Sequence, residues 1–300
     1  MRALNCTICR SDRKITLEDQ TFRDDYLELI NPTYQLQPRR LVICSGCGFV
    51  YHDPQLDAGD LEILYDKFRD SSFRNESPDA YFDRITGLPS DQSENAAKVE
   101  WIRSNIPVCV AAGGDLLDIG CGGGVFIHSF LKAFSGWKAY GVEPTPAFAE
   151  LARCRLAAPV IAGTYRSGLH DGRRFNLITI NQVLEHVSDP VTFLRDVHND
   201  LAMNGLIYLE VPDIQDIGYL PPNHDRFLMQ HLWVFSKVSL TNVCRLAGYD
   251  IQHVDQQVTI RGKSNLVFVL KWAHGPSRAG DLLRENPNDI LALKARSSQR

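Results

Sequence analysis

The sequence predicts an α/β chain: a doubly wound, mostly parallel seven-stranded sheet whose last strand runs antiparallel, behind a small cysteine-bearing head. Three observations predict it. Short apolar runs alternate with helical stretches from about Gly113 to Ala273, a glycine-rich turn follows the first of those runs, and two Cys-x2-Cys pairs stand near the N-terminus. Strands alternating with helices are the signature of a parallel sheet, since each parallel pair needs a crossover. The 300 residues are 44% hydrophobic and 23% charged, which excludes a disordered or fibrous chain. A net charge of −4 argues against a protein that tracks nucleic-acid phosphates. The opening Met1-Arg2-Ala3-Leu4-Asn5-Cys6 has no signal-peptide pattern and no run has the apolar length of a membrane span, so the expected compartment is the cytoplasm.

In chain order, the reading gives a head over 1–54, a helical bridge over 55–112, the sheet domain over 113–274 and a tail over 275–300. In the bridge, Leu61, Leu64, Tyr65 and Phe68 fall at i, i+3, i+4 and i+7, and Val99, Ile102 and Ile106 mark a second amphipathic helix. The polar link Asp70 to Pro78 reads as loop or lid, with Tyr81 and Phe82 placed to close over a ligand. Strands are expected at Leu116–Ile119, Ala139–Val142, Pro159–Ala162, Leu177–Ile180 and Leu206–Leu209. A helix at Val238–Ala247 precedes strands at Asp250–Val254 and Asn265–Leu270, which form an antiparallel hairpin at the end of the sheet. The tail reads as loose, with at most one short helix.

The pairs Cys6-x2-Cys9 and Cys44-x2-Cys47 are matched, and four thiolates converge on tetrahedral zinc. Four protein ligands close the shell, so the expected role is structural and the head is zinc-ribbon-like. Gly48 follows the second pair where the chain turns its amides toward sulfur, whereas Arg10 follows the first, which predicts one less regular knuckle. Cys109, Cys121, Cys154 and Cys244 have no partner at ligand spacing and read as free thiols.

Asp118-Ile119-Gly120-Cys121-Gly122-Gly123-Gly124 places glycines where a strand turns into a helix, and Glu143 ends the next strand. Missing Cβ atoms let a ligand lie against the main chain, and a carboxylate at that point accepts both hydroxyls of a ribose. Val125 occupies the third glycine of a dinucleotide fingerprint, which demotes hydride transfer. Together with Asn181 to Pro190 and Leu209-Glu210-Val211-Pro212, these residues resemble class I S-adenosylmethionine-dependent methyltransferases with a Rossmann-like sheet. That resemblance implies that the Asp118 to Gly124 turn, with Gly120, Gly122 and Gly124, flanks the methionine part of S-adenosyl-L-methionine. It also implies that Glu143 holds the ribose and that Asn181 sits near the amino-acid end. Many relatives carry an acid after the third strand for adenine; this chain has Gly163-Thr164-Tyr165, with Thr164 the cofactor-contacting candidate.

The head and the run Asp225 to Ser236 are similar to zinc-headed methyltransferases that modify nucleotide-linked deoxysugars. There a Glu-His pair stands where this chain has Gln230-His231. The resemblance implies a small polar acceptor, a nucleotide-linked sugar or another glycan, methylated on carbon or oxygen. The sulfonium donor brings its own leaving group, so alignment is the main task; a neutral histidine accepts the proton an acceptor must lose. His186, past the fourth strand, and His231, before the sixth, are the candidate bases. Alternatives are O-methylation of a glycan or secondary metabolite and a zinc-ribbon RNA methyltransferase or RNA-binding module.

Overall fold

The computed structural model describes residues 4–20, 24–34, 39–67, 76–106, 113–273, 275 and 281–297. Among them the strands are β1 (Lys14–Gln20), β2 (Arg39–Cys44), β3 (Val50–His52), β4 (Gly114–Ile119), β5 (Trp137–Glu143), β6 (Val160–Ala162) and β7 (Phe175–Asn181). They continue as β8 (Leu201–Pro212), β9 (Trp233–Val234), β10 (Tyr249–Val258) and β11 (Ser264–Trp272). Seven of them form one sheet in the order β10-β11-β8-β7-β4-β5-β6. The pairs from β8 through β6 are parallel, and β11 is antiparallel to both β8 and β10. The expected hairpin therefore forms, with its second strand inserted between β8 and the edge.

Strand order reverses at β4: β5 and β6 lie to one side, β7 and β8 to the other. Ligands bind at the carboxyl ends of the strands flanking such a reversal. Strand alternation divides the apolar side chains between the two faces. Leu116, Leu177, Val267 and Val269 meet the helices Glu94–Asn105, Val125–Ala133 and Pro146–Leu156. Leu117, Ile178, Leu266 and Phe268 belong to the core of the opposite face, with Val191 and Leu194 of Pro190–Val197 and Leu240 and Val243 of Lys237–Ala247. Local signals start these helices: Ser93 caps the first, Asp189 the fourth with proline behind it, and Ser236 with Ser239 forms a capping box on the fifth.

The second sheet, β1-β2-β3-β9, is antiparallel, and its last strand comes from late in the chain. Phe49 stacks on Trp233 with ring centroids 5.4 Å apart, and the head shares one core with the large sheet. The two knuckles are alike. Arg10 takes φ 63° and Gly48 φ 84°, and each donates its amide to the carbonyl of the first cysteine of its pair, at 2.9 Å. The expectation of an irregular first knuckle is thus corrected: arginine adopts the left-handed region there, at a cost of roughly 1–2 kcal/mol. Glycine at 48 answers a further demand, since a Cβ would lie 2.6 Å from the carbonyl oxygen of Glu285.

That contact belongs to the tail, which packs rather than trailing loosely. Glu285 donates its amide to the Cys47 carbonyl, and Asn242 and Leu283 exchange two hydrogen bonds. The helix Pro287–Ser297 buries Ile290 and Leu293 against Leu41, Ile43, Val50 and Ile217. A polar, proline-bearing segment conceals this, because a few apolar side chains, chiefly Ile290 and Leu293 at i, i+3 spacing, carry the docking.

Candidate functional site

The turn after β4 is held by backbone. Gly120 and Cys121 donate their amides to the Val142 carbonyl at 2.8 and 3.1 Å, and Gly120, Gly122 and Gly124 all take left-handed φ angles of 73°, 54° and 83°. These angles favour glycine because side chains there collide with their own backbone. Crowding reinforces the demand: a Cβ on Gly120 would lie 2.5 Å from Val183, and one on Gly124 2.4 Å from Leu156. Glu143, buried at the end of β5, faces this turn. Its Oε2 accepts from the Gly122 amide at 2.8 Å and its Oε1 from the Thr145 amide at 2.9 Å.

Beside Glu143 opens a cavity of about 460 Å³. Ile119, Gly120, Val142 and Glu143 form its floor, Thr164, Tyr165 and Arg166 one wall, and Gln182, Val183 and His186 another. Leu61, Glu62 and Tyr65, from the helix Ala58–Lys67, form its roof. Thr145 Oγ1 ties roof to floor by donating to the Tyr65 carbonyl at 3.0 Å. The periodicity of this helix predicts packing only, and the sequence places Tyr81 and Phe82 as the residues to close over a ligand. The structure turns those two away: Tyr81 packs on Phe148 and Phe82 on His128. Phe68 and residues 70–75 of the proposed lid lie outside the described residues, as does Cys109.

Gly120, Glu143, Thr164 and His186 line the cavity, whereas Asp118, Gly122, Gly124, Asn181 and His231 do not. Gly122 touches it through Glu143. Asp118 lies beneath, where its Oδ1 accepts from Thr179 Oγ1 at 2.7 Å and Asn181 Nδ2 at 3.2 Å, and burial pushes its carboxyl up to about 7. Gln182 was missed. It takes φ 55° at the cavity wall, and its side chain donates to Glu210 Oε1 at 3.1 Å. A non-glycine residue in the left-handed region beside a cavity is strain of the sort that gathers at functional sites, and no sequence pattern announces it.

The two histidines come together although they stand far apart in sequence. The turn Leu184–His186 after β7 carries one, and the loop before β9 carries the other; their ring centroids are 4.6 Å apart. His186 Nδ1 donates to the Gln230 carbonyl at 2.8 Å, and His231 Nδ1 to the Arg226 carbonyl at 2.9 Å. Carbonyls only accept, so each Nδ1 carries the proton and Nε2 is the basic nitrogen. Burial pushes His231 down to about 3 and the carboxyl of neighbouring Glu185 up to about 8. Trp233 and Phe235 pack with Phe49, so the aromatic cluster forms without enclosing His231.

The four head cysteines also converge. Cys6 and Cys47 sulfurs are 3.5 Å apart, Cys9 and Cys44 sulfurs 3.4 Å, and all four lie within 4.8 Å of one another. Sulfurs about 2.3 Å from a tetrahedral zinc lie about 3.8 Å from each other, so the donor set fits that ion in type, number and spacing.

Residues 93–254, just over half of the chain, match the family described as "Methyltransferase domain". The chain belongs to this methyltransferase family. It is similar to the ubiquinone biosynthesis O-methyltransferase of Methylobacterium sp. (strain 4-46), 31% identical over 102 residues, which are 32% of this chain and 40% of that protein. A second relative, of the same name, from Pseudomonas aeruginosa (strain LESB58), is 27% identical over 146 residues, 47% of this chain and 61% of that protein. The chain thus spans about half the length of the curated relatives it matches. Among solved structures, the 1,6-didemethyltoxoflavin-N1-methyltransferase of Burkholderia thailandensis shares the fold, with a TM-score of 0.52 and 20% identity over 78% of this chain and 95% of that one. The methyltransferase family match covers β4 through β8 and hence the glycine turn, Glu143 and His186.

Proposed function

We propose that the protein transfers a methyl group from S-adenosyl-L-methionine to a hydroxyl oxygen of a small polar acceptor. The carrying observation is the cavity itself, at the carboxyl ends of β4, β5 and β7, with Glu143 on its floor and His186 on its wall. Glu143 keeps its two amide donors and still has lone pairs for the two ribose hydroxyls, because a carboxylate accepts about four hydrogen bonds. Thr164 and Tyr165 take the adenine side. Asn181 and Asp118 support the methionine end from beneath the turn, through the hydrogen bond between them. The sulfonium supplies an activated methyl group, so the chain's own work is to align the acceptor and exclude water, a contribution of about 7–11 kcal/mol in favourable cases. The roof that carries Tyr65 serves that exclusion, and the His186–His231 pair stands where the acceptor hydroxyl must lose its proton. Relatives named for O-methylation favour oxygen over carbon as the methylated atom. A nucleotide-linked sugar is the acceptor class we would assay first, and the four head cysteines hold structural zinc.

Calorimetric titration of the zinc-replete protein with S-adenosylmethionine and S-adenosylhomocysteine tests this reading. Both should bind, and Glu143→Ala should weaken binding by roughly 10- to 100-fold, the worth of one or two hydrogen bonds to a charged group. His231→Ala should leave donor affinity within twofold and lower turnover about 10²-fold or more. Absence of heat with either compound would overturn the reading.

A further inference from the structure

We propose that Glu185, His186 and His231 form a divalent transition-metal site on the acceptor side of the cavity, separate from the cysteine site of the head. Their ligating atoms lie within 4.8 Å of one another, and Glu185 Oε1 is 3.9 Å from His186 Nε2. Ligands of one first-row ion sit about 3–3.5 Å apart, so small side-chain rotations complete the site. Two imidazoles and one carboxylate are a donor set for a first-row divalent metal, and three protein ligands leave positions open for substrate and water.

A second observation points to the ion independently. Both carboxylate oxygens of Glu185 are buried and accept no hydrogen bond among the described residues. Nearby cations are committed elsewhere: Lys98 pairs with Glu210 at 2.8 Å and Arg226 with Asp216 at 2.6 Å. A buried carboxylate left so is expensive, and a bound cation removes the expense. The rings are also prepared. Each Nδ1 donates to a backbone carbonyl, at 2.8 Å for His186 and 2.9 Å for His231, which fixes the tautomer and presents Nε2 as the ligating nitrogen.

The site stands where such an ion is useful, because His186 also lines the donor cavity. This inference rests on the methyltransferase reading and narrows its acceptor to one whose hydroxyl oxygen coordinates the ion. A metal lowers the pKa of bound water from 15.7 to about 7, and a bound hydroxyl is acidified in the same way. The acceptor O–H gives its proton to solvent, the oxygen forms a bond to the methyl carbon, and the carbon–sulfur bond breaks with its electron pair remaining on sulfur. The metal changes no oxidation state. The two imidazoles then act on the acceptor through the ion.

Cobalt(II) added to the zinc-replete full-length protein tests the site. One equivalent should bind, with the weak visible bands of nitrogen and oxygen ligation and without the intense thiolate-to-cobalt absorption of a cysteine site. Glu185→Gln and His231→Ala should each abolish those bands while S-adenosylmethionine still titrates with wild-type affinity. No cobalt uptake, or uptake undiminished in both variants, would overturn the metal site and leave the donor reading standing. Loss of donor heat in the wild-type protein would sink the methyltransferase reading itself, so the two failures are told apart.

Discussion

Glu143 and the three left-handed glycines were legible in the sequence because each answers a local demand: a turn that side chains cannot follow, and a carboxylate at the end of the adjacent strand. Gln182 and Glu185 were not, since their roles depend on neighbours brought from distant segments. Single buried groups also carry testable consequences. His52 is fully buried beside Arg39, and burial first, then that positive charge, pushes it down to about 3. It is neutral in the folded protein but protonates near 6.5 when unfolded. Its contribution to stability is therefore complete above pH 6.5 and is lost as pH falls toward 3, at up to about 1.4 kcal/mol per pH unit. Denaturant unfolding between pH 6.5 and 5 should show a shallower decline for His52→Gln than for the parent. Parallel slopes would show that His52 does not titrate in this way.

Elements differ in how clearly they announce themselves. The inner strands of the large sheet are readable as short apolar runs because both of their faces are covered, whereas the edge strand β10 is polar and half-exposed and is readable only by its alternation. The head strands were not read: β3 has three residues and β9 two, and they form only because each finds a partner across the chain. The helix Ala58–Lys67 was visible by its periodicity, yet its placement over the cavity was not. The tail helix shows the same gap between existence and docking. Leu293 is 7% exposed and packs with Ile290 against the head sheet. Leu293→Ala should cost about 2–5 kcal/mol, the usual range for a buried leucine, read as a lowered midpoint in chemical denaturation. An unchanged midpoint would mean that this helix contributes no docking energy.

At the scale of the molecule, head, sheet and tail are one packed object. Cys6, Cys44 and Phe49 share a core cluster with Ile178, Leu209 and Phe268, and Glu285 joins the Cys47 carbonyl to Ser236, the cap of the helix Lys237–Ala247. Zinc bound at the four cysteines would thereby support more than the head, since the binding energies of structural zinc sites, about 10–16 kcal/mol in isolated peptides, exceed the stability of most domains. Chelation should lower the melting temperature of the whole chain in a single transition and alter the fluorescence of Trp233, which stacks on Phe49. Two transitions, the second unmoved by the chelator, would instead show a head that unfolds by itself.

The sequence by itself determined the strand–helix alternation, the glycine turn with its following carboxylate, and the paired cysteines, because each is encoded over a few neighbouring residues by backbone sterics, apolar periodicity or ligand spacing. Only the tertiary structure decided the position of β11 between β8 and β10, the roof over the cavity, the docking of the tail and the meeting of Glu185 and His186 with His231. Those outcomes are set by which buried surfaces fit one another across the chain, and complementarity between distant segments leaves no spacing rule in the sequence.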